Sequence, residues 1–293
     1  MTHIEDALQK LQRAQRSGSS ASAATPRLAT AVPKEPGYGG HRIVVDTAQL
    51  RANGLLAPDT EERRLAEQYR TIKRPLLTNA AQPADLSVPN ANLVAVVSAL
   101  PGEGKTFTCL NLCLSIARER DWSVVLVDAD CSKPHLTRMF SAEDKPGLID
   151  LLRDPAGSFD SLVMPTDVPG LSLLPAGSHD HHASELLASK RMDELCAELS
   201  GRPGRIIVFD SSPLLLTSEA PVLASKVGQV VFVVKANQTP QDAVKAALEK
   251  VDHAKAIGCV LNQSWGAEAS AEGYGYYGYG GGDAGGASRG GTP

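Results

Sequence analysis

Between two apolar runs the chain reads Ser-Ala-Leu-Pro-Gly-Glu-Gly-Lys-Thr-Phe over residues 98–107. Two glycines one residue apart, followed at once by lysine and threonine, are the residue types that wrap a phosphate. Glycine lets backbone N–H groups turn inward around anionic oxygens, and a helix starting there adds the positive end of its dipole. The run Leu93 to Val97 before the loop reads as a strand, and the apolar segment after it has helix length, which is the context a phosphate-binding loop requires. Pro101, Gly102, Glu103, Gly104, Lys105, Thr106 and Phe107 are therefore the candidate nucleotide-binding residues. Lys105 is expected to reach the β- and γ-phosphates, and the Thr106 hydroxyl to ligate Mg²⁺. One departure stands out: the first glycine of the G-x-x-x-x-G-K-[ST] pattern is Ala99 here.

Three carboxylates sit where a nucleotide-bound cation would need them. "SVVLVDADCSKP" places Asp128 at the tip of an apolar run and Asp130 two residues on, and "RIIVFDS" places Asp210 at the tip of another. A lone Asp at a strand end is commonly a turn or cap residue. In an open α/β sheet, however, ligands gather outside the carboxyl ends of the strands, so all three can converge on the loop. The reading is an ATP–Mg²⁺ site, with Lys105 on the phosphates, Thr106 and Asp210 organising the metal, and Asp128 and Asp130 close by.

These side chains need a scaffold, and the hydrophobic pattern supplies one. Short β-branched runs at 93–97, 123–127, 206–209, 230–234 and 259–261 alternate with helix-length segments. They are apolar nearly throughout, as strands of a mostly parallel sheet covered on both faces are. The expected fold class is α/β, with helices on both sides of that sheet. A helix is expected over 59–74, entered after Pro58 and stopped by Pro75. Leu65, Tyr69 and Ile72 share one face of it, with Glu67, Arg70 and Arg74 opposite. Residues 1–16 hold a short amphipathic helix over 2–15, carrying Ile4, Ala7, Leu8 and Leu11 at helical spacing. A Ser-, Ala-, Pro- and Gly-rich linker is expected over 17–43, a folded domain over 44–265, and a glycine-rich disordered tail over 266–293.

Composition narrows the function classes. A net charge of -4 argues against a general nucleic-acid binder. The longest apolar runs are far short of the roughly 20 residues of a membrane span, and the N-terminus lacks the apolar core of a secretory signal. Five cysteines without a Cys-x-x-Cys pair suggest a reducing cytoplasm. Cys109 and Cys113 read as buried small hydrophobes rather than metal ligands. "SHDHHASELLAS" invites a metal reading of its histidines, but reads better as a loop entering a helix, with Ser184 or a neighbour as cap. Six tyrosines occur in the whole chain, and Tyr274, Tyr276, Tyr277 and Tyr279 are crowded into "EGYGYYGYGGG", where no core could use them.

"DADCSKP", lying between the phosphate loop and Asp210, resembles the second Walker A-type motif of bacterial tyrosine kinases, whose fold is shared with the MinD/ParA ATPases. "RLAEQYRTIKRPLL", "VVSALPGEGKTFT", "VLVDAD", the "SSPLLLTSEAPVLA" that follows Asp210 and "GQVVFVV" resemble, more narrowly, the exosortase-associated tyrosine autokinases of exopolysaccharide gene clusters. The likeness covers residues 45–265 and extends to the N-terminal helix and the tail. The rival is a MinD/ParA-like ATPase switch or assembly scaffold. Those proteins carry a signature lysine five residues before the loop lysine, and Leu100 occupies that position here.

The kinase resemblance implies phosphoryl transfer from Mg–ATP to a tyrosine hydroxyl, with the four tail tyrosines as acceptors in a neighbouring protomer's site. It places Lys105, Asp128 and Asp130 nearest the transferred phosphoryl group, with Asp128 joining Thr106 and Asp210 as a metal candidate. It leaves open which of Asp128 and Asp130 binds metal and which orients or deprotonates the phenol. It implies an Asn262 that reads adenine, and a Glu-x-x-Arg-x-x-Arg oligomerisation motif that appears as Glu67, Arg70 and Lys73. Arg74 lies nearer that helical face, so the third role is open between the two. The implied partners are other copies in a ring that separates on phosphorylation, a membrane polysaccharide chain-length determinant protein that recruits the chain to the inner membrane face, and a tyrosine phosphatase.

Overall fold

In the computed structural model, residues 37–58, 60–82, 88–200, 202–251 and 255–264 are described. The helix expected over 2–15, most of the linker and the four tail tyrosines lie outside them.

The β-branched runs form a sheet. Its strands are β1 (Leu93–Ser98), β2 (Ser123–Asp128), β3 (Met164–Pro165), β4 (Leu171–Leu174), β5 (Arg205–Asp210), β6 (Gln229–Lys235) and β7 (Ala256–Asn262). Their order is β3-β4-β2-β5-β1-β6-β7. Every neighbouring pair is parallel except the short β3–β4 ladder. The helices are α1 (Thr47–Ala52), α2 (Glu62–Ala80), α3 (Lys105–Ala117), α4 (His135–Met139), α5 (Leu148–Arg153), α6 (Phe159–Leu162), α7 (Ala183–Ala188), α8 (Lys190–Ser200), α9 (Glu219–Lys226) and α10 (Gln241–Leu248).

Side chains alternate across a strand, so each strand feeds two apolar layers. Leu93, Ala95 and Val97 of β1 join Val125 and Val127 of β2 beneath α5, α7, α8 and α9. Val94 and Val96 join Val124 and Leu126 on the opposite face, beneath α2 and α3. Burying each such aliphatic side chain stabilises the fold by roughly 1.5–3 kcal/mol. Helix α3 is sunk deepest: Cys109, Leu110, Leu112, Cys113 and Ile116 are fully buried. Cys109 and Cys113 thus pack as small hydrophobes.

Several expectations need correction. Pro75 does not stop its helix, which begins three residues later than expected and runs on to Ala80. Pro75 and Thr71 are both exposed, so the Thr71 carbonyl that loses its intrahelical donor faces water. Beyond the proline, Leu76 is buried and holds the last turns onto the core. The linker ends earlier than residue 43. Gly39 and Gly40 donate to the carbonyls of Asp160 and Val163 at 2.9 and 3.2 Å. A Cβ at Gly40 would stand 2.6 Å from that Val163 oxygen, so only glycine allows the approach.

β3 and β4 escape the hydrophobic pattern, being two and four residues long between Pro and Gly. β7 is an edge strand and is not covered on both faces, with Leu261 63% exposed. The helix after the histidine-rich loop starts at Ala183, so Ser184 lies in its first turn and is not the cap. Asp180 instead accepts the His182 N–H at 2.7 Å.

Candidate nucleotide site

The period of two that builds the core also aims the acids. Val124 and Leu126 of β2, and Ile206 and Val208 of β5, point to the α3 side, so Asp128 and Asp210 point there too. The strands are adjacent and these two residues are directly paired in register. Helix α3 begins with Lys105 above them. Sheet and helix thus bring Lys105, Thr106, Asp128 and Asp210 together at the carboxyl ends of the strands, with Asp130 two residues beyond β2.

The loop between β1 and α3 is shaped for an anion. Gly102 and Gly104 take positive φ values of 75° and 93°, a backbone that other residues rarely adopt. From Gly102 to Phe107, the backbone N–H groups meet no acceptor among the described residues; the first helical bond is donated by Thr108 to Gly104 at 2.9 Å. Unused donors in an unbroken run at a helix N-terminus are the donor set that a chain of phosphates requires. Lys105 is buried, which lowers its pKa, while Asp210, Asp130 and Glu103 oppose that shift.

The acids differ in how they are held. Asp210 is 1% exposed, and its Oδ1 has no hydrogen-bond partner. Burial pushes its carboxyl up to about 8, Asp128 adds to the rise, and the Thr106 hydroxyl and Lys105 work against it. A buried carboxylate oxygen left bare beside a hydroxyl and a second carboxylate fits a divalent oxygen-liganded cation such as Mg²⁺.

Asp128 is fully engaged. Its Oδ2 accepts both the N–H and the hydroxyl of Thr137 at 2.8 Å, and its Oδ1 accepts the Asp130 N–H at 3.3 Å. Burial pushes it up to about 6 against the pull of Thr137. Asp130 is half-buried, and one oxygen takes the Lys133 N–H at 3.1 Å. Burial raises its pKa in turn, with that N–H and Lys105 opposing.

The remaining expected residues lie outside this acid cluster. Asn262 lies at the end of β7, where its Nδ2 donates to the Glu103 carbonyl at 2.9 Å. Leu100 packs against the core, and its N–H is taken by Glu103 Oε2 at 2.7 Å. Glu67 and Arg70 are exposed on α2 and paired with each other, and Arg74 is exposed beyond them. Lys73 does not share that face. It is 5% exposed, donates to the Ser115 carbonyl at 2.6 Å and meets Glu119 at 2.7 Å. It ties α2 to α3 within one protomer, so of the two residues left open only Arg74 stays available to a neighbour.

Sequence reasoning misses several supports. Thr137 fixes Asp128 from α4, nine residues on, a link that no spacing rule carries. Ser211 Oγ donates to the Val96 carbonyl at 2.8 Å, and Ser212 shares a 2.7 Å bond with Thr217, bracing the turn after Asp210. The paired serines that follow Asp210 are the signal that could have found them.

No family model matches the chain. Over 222 residues it is 31% identical to the tyrosine-protein kinase YwqD of Bacillus subtilis, covering 75% of this chain and 89% of that protein. The chain belongs to the bacterial tyrosine-protein kinase family. The crystal structure of the VpsO kinase domain superposes with a TM-score of 0.58 at 30% identity, over 71% of this chain and all of that one. The succinoglycan biosynthesis transport protein ExoP of Rhizobium meliloti is 30% identical over 226 residues, which are 75% of this chain and 28% of ExoP. The chain spans about a quarter of the length of several curated relatives that it matches, ExoP among them. No described helix is long and apolar enough to cross a membrane.

Proposed function

We propose that the chain is an ATP-dependent protein-tyrosine autokinase, acting in exopolysaccharide biosynthesis, whose acceptors are Tyr274, Tyr276, Tyr277 and Tyr279 of a neighbouring copy. The observation that carries this reading is the bare Asp210 Oδ1 set beside Lys105 under the unused N–H groups of residues 102–107. Mg–ATP, when bound, supplies the phosphoryl group and a cation that offsets its negative charge.

The chain's own residues do the rest by positioning and electrostatics. Lys105 and the loop amides hold the β- and γ-phosphates in line, and Thr106 and Asp210 hold the cation. Asp128, locked by Thr137 through two hydrogen bonds, is the fixed member of the acid pair. Asp130, half-buried with an oxygen to spare, is the better acceptor for the phenol proton. A free phenol has a pKa near 10, so it needs such a base as the new bond forms. The tyrosine oxygen bonds to the γ-phosphorus, the bond to the β–γ bridging oxygen breaks, and ADP leaves with that oxygen while the proton passes to Asp130.

The acceptors lie 10 to 15 residues beyond Ser264, the last described residue. Ten to fifteen residues can span at most about 33–54 Å, enough to reach an adjoining protomer. Several phosphates at roughly -1.5 to -2 charges each would then make the tails repel. This supports a ring that assembles unphosphorylated through the Glu67, Arg70 and Arg74 face and separates afterwards. A membrane-bound chain-length determinant protein as recruiter and a tyrosine phosphatase as eraser complete the proposal.

Purified chain incubated with Mg–ATP should gain phosphate on the tail peptide by mass spectrometry, and Lys105→Met should abolish it. Steady ADP release with unmodified tyrosines would sink the kinase reading in favour of an ATPase switch.

A further inference from the structure

Glu103 is an oddity: a carboxylate, 2% exposed, inside a loop whose donors await an anion. Both of its oxygens are turned to other work. Oε2 accepts the Leu100 N–H at 2.7 Å, and Oε1 accepts the Thr239 hydroxyl. Thr239 stands in the turn between β6 and α10, and its hydroxyl oxygen accepts the Lys235 N–H at 3.1 Å. From the other side, Asn262 of β7 donates to the Glu103 carbonyl. A Cβ on Gly104 would displace that same Asn262 nitrogen, and the φ of 93° at Gly104 favours glycine on its own account.

The consequence is geometric. With Leu100 N–H satisfied inside and the Glu103 carbonyl held by Asn262, the peptide units from Gly102 onward are left with their N–H groups unused. Three separate elements (the loop, the β6–α10 turn and the end of β7) meet at one residue, two at its carboxylate and β7 at its carbonyl.

We infer that Glu103, Thr239 and Asn262 form a strap that sets the phosphate loop in its binding shape, and that Asn262 acts by positioning the loop, not by reading the base. The inference rests on the nucleotide-site reading above and deepens it. Its mark is a loss of affinity that follows the phosphates and ignores the base. The strap also fixes the root of the tail, because Ser264 follows Asn262 by two residues.

The test is calorimetric titration of the full chain with Mg–ADP, Mg–GDP and Mg–tripolyphosphate, the last having no base. Asn262→Ala should weaken all three by the same factor, roughly tenfold for one lost part-buried hydrogen bond. Thr239→Val should do likewise, and Thr239→Ser, which keeps the hydroxyl, should restore binding to within about twofold of the wild type. The Thr239 pair carries the test if Asn262→Ala does not fold. A lost adenine preference with tripolyphosphate binding untouched would overturn the inference, as would wild-type affinity in Thr239→Val. A wild-type chain that binds none of the three would instead overturn the nucleotide site itself, and the strap's role with it.

Discussion

At the N-terminal end of β5, Arg205 and its neighbour Arg202 share one oxygen of Asp160, at 3.4 and 2.6 Å. At the C-terminal end of the same strand, Asp210 holds an oxygen that meets nothing. Both ends carry charge and treat it oppositely. At the base, the guanidinium of Arg202 also lies over the Phe159 ring and that of Arg205 over Tyr38, at 5.9 and 5.3 Å, so each cation has both an anion and an aromatic face. The orphan there is neutral: the Tyr38 hydroxyl, which burial pushes up to about 12. At the top, Asp210 is buried and bare, and Lys105 has no ion pair among the described residues. A scaffold completes its charges, whereas a site keeps them waiting for a ligand, at a cost in stability.

The contrast breaks most visibly at Asp210. Asp210→Asn should lower tail phosphorylation by roughly 10²- to 10³-fold, as losing a preorganised charge at a reaction centre does. The same change should make the ligand-free protein more stable at alkaline pH. Asp210 is raised from 3.8 to about 8, so between those values the folded state keeps a proton that the unfolded chain has released. Its contribution to stability is full below pH 4 and is lost as the pH climbs through 8. Asparagine removes that loss, which is worth roughly 1–3 kcal/mol at pH 8.5 and little at pH 4. Asp128, raised to about 6, acts with the same sign over a narrower window. Scanning calorimetry across pH 4–9 reads the effect directly. An Asn variant less stable than the wild type at pH 8.5 would show that Asp210 is not an unfinished charge.

A smaller loss should follow from Thr137→Val, which removes one of the two donors holding Asp128 Oδ2 while keeping the shape of the side chain. Supports of this kind are worth roughly 10- to 100-fold in activity. The Thr137 hydroxyl also accepts the Ala176 N–H at 3.0 Å, so Thr137→Ser should recover most of the rate by restoring both bonds. The split matters. A fall in kcat with little change in nucleotide affinity marks Asp128 as part of the chemistry, and the reverse would reassign it to binding.

The top of the molecule was far more legible in the sequence than the base. Gly102, Gly104, Lys105 and Thr106 belong to one short motif, and Asp128 and Asp210 end runs whose period of two also sets their direction. Local spacing carries that information. Arg202, Arg205, Asp160 and Tyr38 come from separate segments and meet only because β5 starts beside α6. Nothing in their spacing announces it. Lys73 shows the same limit within one helix: the pattern offered it an outward role, and the carbonyl of Ser115 with Glu119, both on the α3 side, drew it inward. Pro75 failed as a stop signal because a proline on the wet side of a helix removes a hydrogen bond that water can replace.

The least effect is expected at the base, and it tests the comparison from the other side. Asp160 is partly exposed, with its side chain 40% accessible, so each of its bridges is screened by solvent. Asp160→Asn leaves Arg202 with Glu198 and with the Phe159 ring, and leaves Arg205 stacked on Tyr38. The loss should be about 1 kcal/mol, seen as a fall in Tm of roughly 2–4 °C for a domain of this size. Neither Mg–ADP affinity nor tail phosphorylation should move by more than about twofold, since the sheet separates the base from the phosphate loop by the full length of β5. A variant that kept its Tm but lost nucleotide affinity would mean that the base takes part in the site, and the division between a completed scaffold and an unfinished site would fail.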